Sequence, residues 1–147
     1  MIAYSEIKTA IVNVIADAFK DSTISDDPYK HVKGGAFIVK VVNNDANVHS
    51  YDIAQRDLYF DIVYFAPKEM EVHELDEIGQ TLTEAFLYPV SFSTRTIQPT
   101  SITTRKVDMD FHLNFDLVFY DDIPEKEDYE YGQDLEFTVT MKELNIR

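Results

Sequence analysis

The sequence has no cysteine and no tryptophan, and only four glycines in 147 residues. Without cysteine there are no disulfides, no thiolate nucleophile and no cysteine-based metal site. The one glycine doublet, Gly34-Gly35, lacks the spaced third glycine and the Gly-Lys-Ser/Thr ending of a phosphate loop, so it reads as a flexible lead into a strand. Basic residues are also scarce. Thirteen Lys and Arg face 27 Asp and Glu, giving a formal net charge of −14. Such a chain is repelled by a phosphate backbone and by an anionic membrane. No apolar run approaches the length of a spanning helix, and the first residues lack a basic segment followed by an apolar stretch, so neither a transmembrane span nor a classical signal peptide is expected.

What remains is a foldable, acidic chain. Hydrophobic residues make up 45% of it, with ten Phe and nine Tyr, enough for a substantial core. Its length suits a single domain over residues 1–147. The composition reads as soluble and intracellular in manufacture.

Periodicity outlines the elements. Ile7, Ala10, Ile11, Val14, Ile15, Ala18 and Phe19 recur at helical spacing and predict an amphipathic helix, with Ser5 as a plausible N-cap and Tyr4 as the alternative start. Asp26-Asp27-Pro28 enforces a loop. Residues Ala36–Val42 read as a strand by residue type, and Asn43–Asn47 as a polar turn or loop tip. A second strand runs from Gln55 to Phe65, with Leu58, Phe60, Ile62 and Tyr64 on one face and Tyr59, Asp61, Val63 and Phe65 on the other. Pro67 ends it, and the two strands suggest an antiparallel pair. A second helix is expected over Glu69–Leu87, its stripe formed by Val72, Leu75, Ile78, Leu82, Ala85 and Phe86. Acidic residues crowd its first turns, where exposed N–H groups favour them, and Pro89 terminates it. Thr103–Tyr120 reads as one unusually long strand, because Val107, Met109, Phe111, Leu113, Phe115, Leu117 and Phe119 alternate without a break. Asp121–Asp134 holds seven acidic residues and one basic, which predicts a mobile or partner-held loop. A final strand is expected where Leu135, Phe137, Val139 and Met141 alternate with polar residues. The fold class is therefore α+β, with two helices packed on a largely antiparallel or mixed sheet.

No constellation for chemistry can be written. His73-Glu74-Leu75-Asp76 lacks the second histidine of a zinc-binding helix, so neither a metal nor another cofactor is expected. Asp108, Asp110 and Asp116 alternate along the long strand without a second base or a compact calcium loop, and read as a polar surface that faces solvent or another subunit. No nucleophile and base pair up, so no enzyme activity is expected.

The order of segments resembles the tail terminator (tail completion, head–tail joining) proteins of phages and prophages of Gram-positive bacteria. The resembling pieces are Tyr4-Ser5-Glu6-Ile7, Gly35-Ala36-Phe37-Ile38-Val39, Arg56 through Phe65, the acidic second helix and Phe115-Asp116-Leu117-Val118-Phe119-Tyr120. The resemblance implies a virion tail protein, made in the host cytoplasm, that forms a homo-oligomeric ring, commonly hexameric, on the head-proximal end of the tail tube. Its implied partners are the tail tube protein and a head connector or head completion protein. DNA would pass through without specific binding, and no membrane is involved. Arg56 matches the family's arginine before the second strand. Its plainer reading is a surface salt bridge. With Tyr59, Asp61, Val63 and Phe65 it forms the candidate subunit contact, while Asp108, Asp110 and Asp116 are the candidate channel-facing residues. A non-enzymatic regulatory or adaptor domain that binds protein is the alternative function.

Overall fold

The computed structural model describes residues 1–25 and 34–125. Helix α1 (Tyr4–Ala18) leads through the short strand β1 (Thr23–Ser25) to the long hairpin of β2 (Ala36–Ser50) and β3 (Ile53–Phe65). Helix α2 (Val72–Ala85) follows, then a small hairpin of β4 (Val90–Phe92) and β5 (Arg95–Ile97), and finally β6 (Thr100–Val107) and β7 (Asp110–Asp122). The main sheet has the order β1-β2-β3-β7-β6. Among the described strands only β1 and β2 run parallel, so the sheet is mixed and largely antiparallel, within the fold class the sequence predicts.

Both helices pack on one face of this sheet. Ile7, Ile11 and Ile15 of α1 and Leu75 and Leu82 of α2 are fully buried against Phe37, Val39, Leu58, Phe60, Ile62, Leu113, Phe115 and Leu117. Aromatic rings join the layers. Phe115 stacks between Phe60 and Phe86, at centroid distances of 5.6 and 4.8 Å, and Phe37 lies 4.7 Å from Phe19 and 4.8 Å from Tyr64. Gly79 lets α2 approach closely, since a Cβ there would fall 2.3 Å from the Phe111 ring. Gly34 serves the same purpose just before β2, where its Cβ would meet the Cα of Pro67 at 2.7 Å, while Gly35 takes the left-handed region at φ 88°, so the doublet answers a close approach and a turn rather than a need for flexibility.

Several boundaries differ from those the sequence predicts. The first helix starts at Tyr4 with Ala3 as its N-cap, and Ser5 makes no cap. Helix α2 opens with a capping box between Glu71 and Glu74, which leaves Val72 exposed. Asn43–Asn47 is not a loop but the middle of β2, paired with Gln55–Tyr59. The expected strand Thr103–Tyr120 is a hairpin that turns at Asp108-Met109, with Asp108 in the left-handed region at φ 56°. Alternation hides such a turn. Val107 lies opposite Asp110, so Val107 shares the outer face with Asp110 while Phe111 points to the helices. Val107 is accordingly exposed, and the core stripe begins at Phe111. Asp121 and Asp122 belong to β7 rather than to an acidic loop. The rest of that loop from Lys126 onward, the Leu135–Met141 strand and the Asp26-Asp27-Pro28 loop lie outside the described residues.

Candidate functional site

The sheet face turned away from the helices is built by strict register. Along β3 it carries Gln55, Asp57, Tyr59, Asp61, Val63 and Phe65, and β7 sets Tyr120, Val118, Asp116, Asn114, His112 and Asp110 opposite them in turn. Tyr59, Asp61, Val63 and Phe65 therefore share one face with Asp110 and Asp116. The structure brings together two residue sets that are separate in sequence. Asp108 does not join them, because it sits in the β6–β7 turn.

Burial divides this face. Asp61, Val63 and Asn114 are buried within one chain. Asp61 sits between two cationic or polar groups, its oxygens 3.7 Å from Lys40 Nζ and 3.3 Å from His112 Nδ1. Tyr59, Phe65, Asp57, Asp110 and Asp116 are half-buried. Toward the hairpin tip the face opens to solvent, and every residue from Val42 to Ser50 is exposed. Asp45 lies directly opposite Asp57, and Asp116 lies diagonally across from Asp57 on the same face. Burial, reinforced by the charge of Asp57, raises the Asp116 carboxyl above the usual range. Burial also raises Asp110; the charge of Asp108 adds to this, while that of His112 opposes it.

Arg56 points the other way, into the helix side of the sheet. It is only 5% exposed, and its Nη1 donates to Asp121 Oδ2 at 2.9 Å and to the Ile2 carbonyl at 3.2 Å. Nη2 reaches Asn44 Oδ1 at 3.3 Å, and the guanidinium lies over the Phe119 ring. The salt bridge is thus present but buried, because position 56 is in phase with Leu58 and Phe60 rather than with Tyr59.

Both outer strands of the sheet have open edges among the described residues. β1 pairs only with Ala36–Ile38, which leaves the far half of β2 with one neighbour, and β6 pairs only with β7. The tip of the β2–β3 hairpin exposes Val48 (72%) and Tyr51 (92%). Asp45, Asp57 and Arg105 were not singled out in sequence. Asp57 carried a usable signal, being in phase with Tyr59 and Asp61, whereas Asp45 was hidden in an apparent loop. Among the described residues, no group of three or more His, Cys, Asp or Glu is arranged to hold a metal, and no helix is long and apolar enough to cross a membrane.

A sequence profile described as phage tail terminator protein matches residues 6–130. The chain belongs to the phage tail terminator family. This makes it a non-catalytic structural protein of the virion tail, assembled in the host cytoplasm, with a general role in head–tail joining. Two solved structures show a weak similarity to the chain. One, which bears no functional name, is 15% identical with a TM-score of 0.47, over 86% of this chain and 100% of that chain. The other comes from the virion of a native gene transfer agent particle and is 10% identical with a TM-score of 0.45, over 82% of this chain and 99% of that chain. No curated protein matches the sequence significantly. The assignment of this tail terminator rests on the profile.

Proposed function

We propose that residues 1–147 act as one domain, copies of which close into a ring, most simply of six subunits, on the head-proximal end of the tail tube. There the ring stops addition of tube protein and offers its other side to the head connector or head completion protein. The observation that carries this reading is a sheet with, among the described residues, an open edge on each side, in a chain of the tail terminator family. Two different edges on one subunit favour head-to-tail contacts, and such contacts close into rings when the rotation per subunit is right.

The acidic outer face supplies the channel wall in this reading. Asp45, Asp57 and Asp116 at its open end, with Asp110 farther along, present negative charge to passing DNA, so the wall repels phosphate and DNA slides without specific contacts. Tyr59 and Phe65, half-buried on the same face, are the members of the candidate contact set that a neighbour or partner can still reach. Arg56, Asp61 and Val63 act from inside the subunit by holding the shape of the strand that presents them.

Deleting the protein from a phage that carries it tests this function. Tail tubes are expected to overrun their normal length and to fail to join heads. Tubes of normal length that join heads without it would contradict the proposal.

A further inference from the structure

The two edges left open among the described residues fit each other. β6 is antiparallel to β7, β7 to β3 and β3 to β2, so β6 runs opposite to β2 within one subunit. A head-to-tail repeat that continues the sheet sets β6 of one copy beside β2 of the next, again antiparallel. We propose that this is the contact between subunits: Ile102–Val107 of one copy adds as a strand to Asn43–Val48 of its neighbour, with Arg105 opposite Asp45 and Ile102 opposite Val48. The inference deepens the ring reading and rests on it.

Register and face carry the pairing. Arg105 lies opposite His112, on the outer face, and Asp45 lies opposite Asp57, also on the outer face, so the two side chains meet when the strands pair. The same register sets Thr103 against Asn47 on that face, and Thr104 against Ala46 on the helix face. Both segments are solvent-exposed apart from the partly covered Ile102. Charge supports the choice. Arg105 has no ionic partner among the described residues, while Lys106 is already held by Asp76 at 2.8 Å. Asp45 faces Asp57, and Asp116 lies diagonally across from Asp57 on the same face, so carboxylates gather across three strands. An arginine brought to the end of that row relieves its repulsion, and only the β6 edge carries one there. Val48, strongly exposed in one copy, gains an apolar neighbour in Ile102.

The chain has no cysteine, so a pair can be introduced cleanly. Asn47→Cys and Thr103→Cys in one chain lie three strand spacings across and six residues along the sheet from each other, roughly 24 Å, out of reach of a short bismaleimide within a subunit. Full-length protein, purified and on tails, is treated with that reagent, and its mass is read under native and denaturing conditions. A covalent ladder ending at the ring size is expected from the double variant. None is expected from Asn47→Cys alone, from Thr103→Cys alone, or from Asn47→Cys paired with Gln80→Cys on α2. Arg105→Asp is expected to weaken association about tenfold or more, the lower end of the coupling of close interfacial charge pairs, and Asp45→Arg in the same chain to restore it. Native rings with no ladder would overturn the edge pairing and leave the ring standing. A chain that stays monomeric in solution and on tails would overturn both.

Discussion

Arg56 and Asp121 form a buried ion pair, Nη1 to Oδ2 at 2.9 Å, that fastens the end of β7 to the β2–β3 hairpin and, through Ile2, to the segment leading into α1. Asp121 also accepts from the backbone N–H of Ile2 at 2.9 Å and of Asp122 at 2.8 Å. Burial by itself would raise its carboxyl. These hydrogen bonds and the guanidinium outweigh burial and hold it below the usual carboxylate range.

Removing one partner leaves the other charge buried and unpaired. Arg56→Met or Asp121→Leu alone is expected to cost about 3–5 kcal/mol, and the double replacement distinctly less than the sum. Chemical denaturation of the three variants checks this. Because the Asp121 pKa is depressed in the folded state, its stabilisation is complete above the unfolded carboxylate range and is lost as pH falls through the folded value. The wild type should therefore lose more stability on acidification than Asp121→Leu does.

Asp116 has the opposite sign. Its folded pKa is raised, so the native state binds more protons than the unfolded chain, and stability falls as pH climbs from the unfolded value through the folded one. Asp116→Asn is expected to raise the melting temperature at neutral pH, with the gain shrinking as pH drops through that window. Thermal melts over a pH series measure it. A lower melting temperature at neutral pH would reject the strain assigned to the Asp57–Asp116 pair.

The core makes a separate demand. Phe115 is fully buried between Phe60 and Phe86, so Phe115→Ala should cost about 3–5 kcal/mol. Val107→Ala, in the same apparent stripe but exposed beyond the turn, should fall within about 0.5 kcal/mol of wild type. Gly79→Ala should destabilise the chain despite its better helix propensity, because its Cβ collides with Phe111.

These cases mark how far the sequence could be read. The two helices, the in-and-out faces of β3 and the stripe from Phe111 to Phe119 were legible because each buries one face on a single core. The turn at Asp108-Met109 was not. The stripe on one side of it passes by parity into exposed positions on the other, and no Asn-Gly or Asp-Gly pair announces it. Asn43–Asn47 carry poor strand propensity and are held extended by pairing with β3, a tertiary effect that residue type does not encode. Arg56 read as a surface residue because an arginine in a strand usually is one; its phase with Leu58 and Phe60 pointed inward, and its partner 65 positions later shows how the charge is held there.

Charge bears on assembly as well. Each copy contributes −14, so six would carry −84 and repel one another at low ionic strength. Association of the purified protein is expected to strengthen as added salt screens that repulsion over about 10 Å at 0.1 M. Sedimentation across a salt series reads it. Tightest association at the lowest salt would mean that attraction between opposite charges, led by Arg105 and Asp45, governs assembly.

The most direct measurement is an image reconstruction of tails that carry this protein, without imposed symmetry. A closed ring of this chain is expected at the head-proximal end and nowhere else along the tube, with each subunit's sheet continuing into the next and Asp57 and Asp116 turned to the channel. Absence of the chain from that end, or its presence there as a single isolated copy, would contradict the account.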